Sequence, residues 1–151
     1  MQKPFFLLLA AICCTLTSCA KDRLITFAEL PQTAQNIAQT AQNIVQTHFD
    51  VNQVSYVTED VELLGKEYEL RLTDGTKLEF KNDGSLKKID CQYSPVPEAL
   101  VPAQVLEQVK AKFPQNFIIE WGEDDWGWKA ELNNKLELKF NRNFDFVGID
   151  D

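Results

Sequence analysis

The sequence predicts an α+β fold made of two tandem α-β-β-β-β units, roughly αββββαββββ, and three observations carry that prediction. Between Tyr68 and Asp90 the apolar residues Tyr68, Leu70, Leu72, Leu78 and Phe80 alternate with charged neighbours. That period of two marks strands with one face in a core and one in water. The same pattern returns sixty residues later from Trp128 to Asp150, where Leu72 maps on Leu132, Leu78 on Leu138, Phe80 on Phe140, Ile89 on Ile149 and Asp90 on Asp150. Each strand set follows a stretch with apolar residues at helical spacing.

Met1-Gln2-Lys3 and the apolar run Pro4–Ile12 form a charged n-region and a short h-region. A bilayer-spanning helix needs about 20 apolar residues, so this run reads as a secretory signal. Leu16-Thr17-Ser18-Cys19 resembles a bacterial lipobox, which implies cleavage before Cys19 and its lipidation. The expected organisation is a signal peptide over 1–18, lipidated Cys19 and a tether over 19–29, a first α-β4 repeat over 30–93 and a second over 94–151.

Loss of Lys3 with the signal takes the formal net charge from −8 to −9. Such acidity opposes nucleic acid, whose phosphates demand a basic footprint. The expected membrane link is therefore the lipid on Cys19. Cys13 and Cys14 leave with the signal, so Cys91 has no intramolecular disulfide partner. It reads as a small buried hydrophobe.

Leu30-Pro31 opens the first helical pattern, with Pro suited to a first turn. Ala34, Ile37, Ala38, Ala41, Ile44, Val45 and His48 fall on one face, and Gln35, Gln39, Gln42 and Gln46 on the other. Ala34–Thr40 (AQNIAQT) and Ala41–Thr47 (AQNIVQT) are a near-perfect tandem heptad. Seven residues turn a helix face by only about 20°, so the added heptad is expected to lengthen the helix without turning its apolar stripe from the sheet.

Val54–Val57 reads as the first strand and Glu59 to Lys66 as a loose hairpin loop. The next turn follows from register. A two-residue Asp74-Gly75 loop sets Leu72 against Lys77 and mixes faces. A three-residue Thr73-Asp74-Gly75 loop sets Leu70 against Leu78 and Tyr68 against Phe80. Asn82-Asp83-Gly84 repeats the device and sets Phe80 against Leu86. Lys135 and Phe144 occupy the corresponding glycine positions in the second unit, so those turns are either strained or built differently.

Cys91–Ala99 links the units. The second helix spans about Pro102 to Phe113, with Val105, Val109 and Phe113 inward, and Pro114 ends it. Phe117–Trp121, Trp128–Leu132, Leu136–Phe140 and Phe144–Ile149 complete the strands, with Gly122–Gly127 (GEDDWG) as an acidic, aromatic hairpin tip.

No catalytic constellation emerges. His48, the single histidine, sits at a helix end on an apolar stripe, where packing is its expected duty. No metal spacing, phosphate-binding glycine loop or nucleophile–histidine–acid set is present, so neither cofactor nor metal is expected. Glu123, Asp124 and Asp125 lack the alternation of a calcium loop and read as a solvated tip. Tyr68 and Trp128 are expected in the core with Phe80 and Phe140. Trp121 and Trp126 have no evident core duty, and Ile89, Val147 and Ile149 fall by parity on the face opposite the helices unless a bulge resets them. These five residues form the candidate surface for a protein partner.

A lipobox followed by two helix-plus-four-strand units, with the repeated pattern YELRLTDGTKLEF and WKAELNNKLELKF, resembles the PepSY-like, beta-lactamase-inhibitor-like periplasmic proteins of Gram-negative bacteria. The likeness runs from about Leu24 to Asp151. It implies a continuous curved antiparallel sheet with helices packed on one face, and the family name suggests inhibition of an enzyme or peptidase. It supplies no catalytic residues. The duplicated heptad and Lys135 depart from the pattern. The expected function is a non-enzymatic, membrane-anchored binding module, in the periplasm or at the cell surface, that inhibits or regulates a secreted hydrolase or peptidase. The alternative is a structural or assembly lipoprotein of the envelope, associating through the long helix or Cys91. Either is expected in the outer membrane.

Overall fold

The computed structural model describes residues 22–31, 40–62 and 65–150. Among these, nine strands form one antiparallel sheet in sequence order. They are β1 (Arg23–Ile25), β2 (Val54–Glu62), β3 (Gly65–Leu72), β4 (Lys77–Lys81), β5 (Leu86–Asp90), β6 (Ile118–Asp124), β7 (Gly127–Leu132), β8 (Glu137–Phe140) and β9 (Phe146–Asp150). The helices α1 (Ala41–His48) and α2 (Ala103–Lys112) each precede a four-strand set, β2–β5 and β6–β9. The sheet is continuous because β5 pairs with β6 across the repeat boundary.

The alternation does what the sequence predicts. Leu70, Leu72, Leu78, Phe80, Leu132, Leu138 and Phe140 are buried, and both helices join the same apolar cluster through Val45, Val105 and Val109. Full burial of such a side chain is worth about 1.5–3 kcal/mol. The register also follows prediction: Leu70 faces Leu78, Tyr68 faces Phe80, and Phe80 faces Leu86. The other face holds half-buried charges that pair across strands. Lys77 reaches both Glu69 (3.0 Å) and Glu79 (2.9 Å), Lys87 reaches Glu67, and Lys129 reaches Glu137.

The second unit keeps the turn geometry without the glycines. Lys135 has φ 70° and Phe144 φ 65°, where Gly75 and Gly84 have φ 93° and 83°. L-residues are strained there, so these turns are built alike and strained. Lys135→Gly is expected to raise Tm by roughly 2–4 °C, read by thermal unfolding. Phe144 is different, because its ring packs on Trp128 and repays the strain.

Four expectations need correction. The tether contains β1, which pairs with β2 from Arg23↔Glu59 to Ile25↔Val57. Glu59–Lys66 is no loose loop, since β2 runs to Glu62 and β3 starts at Gly65. Glu59 is held there by Lys66 (3.0 Å) and Arg23 (3.4 Å), which keep its carboxyl below the usual range. The heptad does not lengthen α1: Thr40 is extended (φ −76°, ψ 151°) and α1 starts at Ala41. Pro31 and Ala41 both approach Gly84, where an added Cβ would lie 3.1 Å from Pro31 Cβ and 3.5 Å from Ala41 N. Most of the first heptad lies outside the described residues. Gln42 does not face solvent; its Nε2 donates to the Ala28 and Leu30 carbonyls at 3.0 Å each.

Candidate functional site

The two repeats leave a cleft of about 560 Å³ on the helix side, over their junction. Ile44 and His48 of α1 form one wall, and Leu100 with Pro102 ahead of α2 forms another. Leu86, Trp121 and Trp128 floor it, and Lys81 and Glu123 form an ion pair at its edge. The apolar floor lies beneath five polar side chains, those of His48, Lys81, Ser85, Lys87 and Glu123, so the cleft offers a ligand both apolar area and orienting groups.

The floor arises from one position in each strand. Trp121 stands where the first unit has Val57, and its indole stacks on that of Trp128 with centroids 5.3 Å apart and planes 4° from parallel. Phe140 meets Trp121 edge-on at 5.9 Å. Offset stacking and edge contacts of this kind add about 0.5–1.5 kcal/mol per pair beyond burial. Against α2, Gln108 locks the neighbouring turn: its Nε2 donates to the Phe144 carbonyl (2.8 Å), and its Oε1 accepts from the Phe146 N–H (2.9 Å).

A second depression, of about 400 Å³, shares Glu123 and Trp128 with the cleft and adds Asp124, Gly127 and Arg142. It runs beside the β6–β7 hairpin tip, where Trp126 is 87% exposed. Cleft and tip therefore form one continuous concave-to-convex surface.

Of the residues expected on the binding surface, Trp126 is where prediction places it. Trp121 (3% exposed) and Ile89 (0%) are instead in the core, and they face each other across the β5–β6 seam. The parity argument for Ile89 fails because of a bulge. Glu79 faces Lys88 while Phe80 faces Leu86, so Lys87 is an extra residue and Ile89 returns to the helix side opposite Leu78. The same bulge at Val147 puts Ile149 opposite Leu138. Val147 (66% exposed) and Ile149 (47%) stay accessible at β9, the last strand, far along the sheet from Trp126's hairpin partner β6. Cys19 lies outside the described residues.

His48, Leu86, Leu100 and Lys81 were not singled out for binding, yet they line the cleft. Their one sequence signal is that His48 ends the first predicted helix and Leu100 precedes the second. Among the described residues no group of three His, Cys, Asp or Glu side chains converges as a metal cage, and no helix is long and apolar enough to cross a membrane.

Cys91 is buried, and burial pushes its thiol from an ordinary 9.0 to about 11, with the Asp74 and Asp90 carboxylates adding to the shift. At pH 8 the folded protein is expected to resist iodoacetamide and the unfolded protein to label fully, as read by mass spectrometry. The raised value means that the folded state holds its proton longer, so stability attached to Cys91 is intact below about pH 9 and declines as pH rises towards 11.

A family profile described as "Putative beta-lactamase-inhibitor-like, PepSY-like" matches residues 66–148. Among solved structures, the chain is similar to a "putative periplasmic protein from DUF2874 family" of Bacteroides vulgatus ATCC 8482, with 31% identity over 88% of this chain and 99% of that one, and a TM-score of 0.78. It is similar to a "putative calcium-regulated periplasmic protein" of Bacteroides thetaiotaomicron, with 29% identity, coverage of 86% and 97%, and a TM-score of 0.76. A third, a "putative periplasmic protein of unknown function" from Bacteroides vulgatus ATCC 8482, shares 26% identity with coverage of 87% and 100%, and a TM-score of 0.75. No curated protein matches the chain.

Proposed function

The chain belongs to the PepSY-like, beta-lactamase-inhibitor-like family, and from that premise we propose that it is an exported, non-enzymatic binding module, anchored to the outer membrane through a lipid on Cys19, that inhibits or regulates a secreted hydrolase or peptidase. The observation that carries this reading is Trp126, projecting from an acidic hairpin tip beside a cleft floored by Trp121 and Trp128. An exposed indole next to an apolar concavity is the pattern of an interface anchor, because a large rigid ring buries much area at low entropic cost. The sheet face opposite the helices is a weaker candidate, since its charges already pair with one another and a partner would have to desolvate them.

The wild-type chain in detergent-solubilised envelope is expected to hold one hydrolase in fixed stoichiometry and to inhibit it after purification. Trp126→Ala should weaken that complex by about 2 kcal/mol or more, roughly thirtyfold in Kd, with an unchanged melting curve. Inhibition that survives the substitution, or turnover of a substrate panel by the chain itself, overturns the reading. The anchor has its own test: Cys19→Ser should end lipid labelling and move the protein from the membrane to the soluble fraction. The assembly alternative finds no support in the described residues, where Cys91 is buried and α1 has 8 residues.

A further inference from the structure

The sheet repeats one seam, and the last copy of that seam is half built. In the middle of the sheet, β5 presents its edge to β6, with Lys88↔Gly122, Ile89↔Trp121 and Asp90↔Glu120. At the start of the sheet, β1 presents Leu24↔Thr58 and Ile25↔Val57 to β2. The β2–β3 and β6–β7 ladders both contain Leu72 or its counterpart Leu132, which fixes Val57 on Trp121 and Thr58 on Gly122. Ile25 is therefore the counterpart of Ile89, in the same register. The strand β9 carries the third copy, with Gly148 for Lys88, Ile149 for Ile89 and Asp150 for Asp90. Among the described residues β9 pairs with β8 alone.

The bulge in β9 does not protect this edge, because the same bulge in β5 coexists with full pairing to β6. Nor do lysines or prolines blunt it, although open edges usually carry such guards. Instead, three lysines of the first unit are gone: Lys81, Lys87 and Lys88 become Asn141, Val147 and Gly148. In the β5–β6 seam Lys81 pairs with Glu123 and Lys88 with Glu120, so acidic positions on the docking strand are served there. At β9 no such lysines stand ready for an acidic strand: Asp150 pairs with Lys139 at 2.9 Å, and Asp145 accepts from Gln104 and Asn141. Space differs too. A Cβ at Gly122 would lie 2.8 Å from Lys88 Cγ, whereas one at Gly148 meets nothing within 4 Å. The glycine has moved from the docking strand to the receiving strand, which makes room for a large side chain opposite Gly148.

We propose that the free edge of β9 receives an extended, neutral-to-basic segment of another polypeptide as a tenth antiparallel strand, with an apolar side chain opposite Ile149 and a bulky one opposite Gly148. Main-chain hydrogen bonds supply the affinity in such strand addition, and the alternating side chains supply the choice. The strand of a second copy fits less well. Its β2 would set Glu59 against Val147, whereas its own β1 offers Glu59 the Arg23 guanidinium. This surface is separate from the cleft and Trp126, so either can fail without the other.

The probe is a synthetic peptide of residues 116–124 carrying E120K, G122Y, E123K and D124K, added to the full ¹⁵N-labelled chain in detergent. Saturable amide shifts and new hydrogen-exchange protection are expected at residues 146–150, while the cleft residues Ile44 and Leu100 stay unmoved. Two versions of the peptide, N-methylated on alternate backbone nitrogens in the two possible phases, separate edge pairing from any other mode. One phase should bind and the other lose all detectable shift. The unsubstituted peptide should bind more weakly, and Ile149→Lys in the protein should weaken the substituted peptide. Absence of shifts at β9, equal binding by both methylated phases, or shifts centred on the cleft overturns the proposal. Protection of β9 that grows with protein concentration alone, without peptide, also overturns it, because a second copy would then be the occupant.

Discussion

Replacing Trp121 with alanine is expected to destabilise the fold by about 3–5 kcal/mol, the range found when a buried tryptophan or phenylalanine is truncated. Trp121 is almost fully buried and touches Trp128, Phe140 and Phe144 at once, so the lost side chain leaves a cavity that three rings cannot refill without leaving their rotamers. Urea unfolding followed by far-ultraviolet circular dichroism measures the loss. The parallel stack with Trp128 gives a second readout, because two coupled indoles produce an exciton signal that Trp121→Ala must abolish and Trp126→Ala must leave intact. Trp126→Ala serves as the stability control, expected within about 0.5 kcal/mol of wild type. Comparable loss from both substitutions would mean that the tip is part of the core packing.

Gly127→Ala is the second large effect. A Cβ at Gly127 would lie 2.2 Å from the Phe140 carbonyl oxygen and 3.0 Å from Asn141 Cα and carbonyl carbon. These are backbone atoms of the strand that β7 pairs with, so relief requires β7 and β8 to part. The expected cost is about 3 kcal/mol, the upper part of the usual range for overpacking, with faster hydrogen exchange concentrated in β7 and β8. Gly148→Ala is the matched comparison, because open space surrounds that position and the expected change is within about 0.5 kcal/mol. Equal costs at the two glycines would place the effect in backbone entropy, with no role for the close approach.

Much of this was legible from residues. Leu70, Leu78, Tyr68 and Phe80 had one register that kept a single apolar face, and that register is the one in the sheet. The left-handed turn positions were legible from Gly75 and Gly84, and the repeat carried them to Lys135 and Phe144, where the strain is found. Trp126 read as an exposed tip residue and is one. The candidate site was less legible. Strict alternation from Leu86 points Ile89 outward unless a bulge intervenes, and the hairpin position of Trp121 gives no sign of its inward place. A single bulge at Lys87 reverses that parity, and nothing in the local sequence marks it. The three-residue β1 carries too little pattern to announce itself, since its pairing depends on β2, more than thirty residues away. His48 reaches the cleft only in the folded chain, where the end of α1 lines the same cavity as Leu100 and Pro102, more than fifty residues away.

The sequence by itself determined the repeat, the registers of the β3–β4 and β4–β5 hairpins as far as Leu86, and the inward faces of β3, β4, β7 and β8, because these follow from contacts between residues close along the chain and from a period of two. Only the tertiary structure decided the β1 edge, the bulges, the arrest of α1 at Thr40, and the cleft over the seam. Each of those depends on which distant backbone comes alongside, and the pairing of β5 with β6 settles that Ile89 and Trp121 are core.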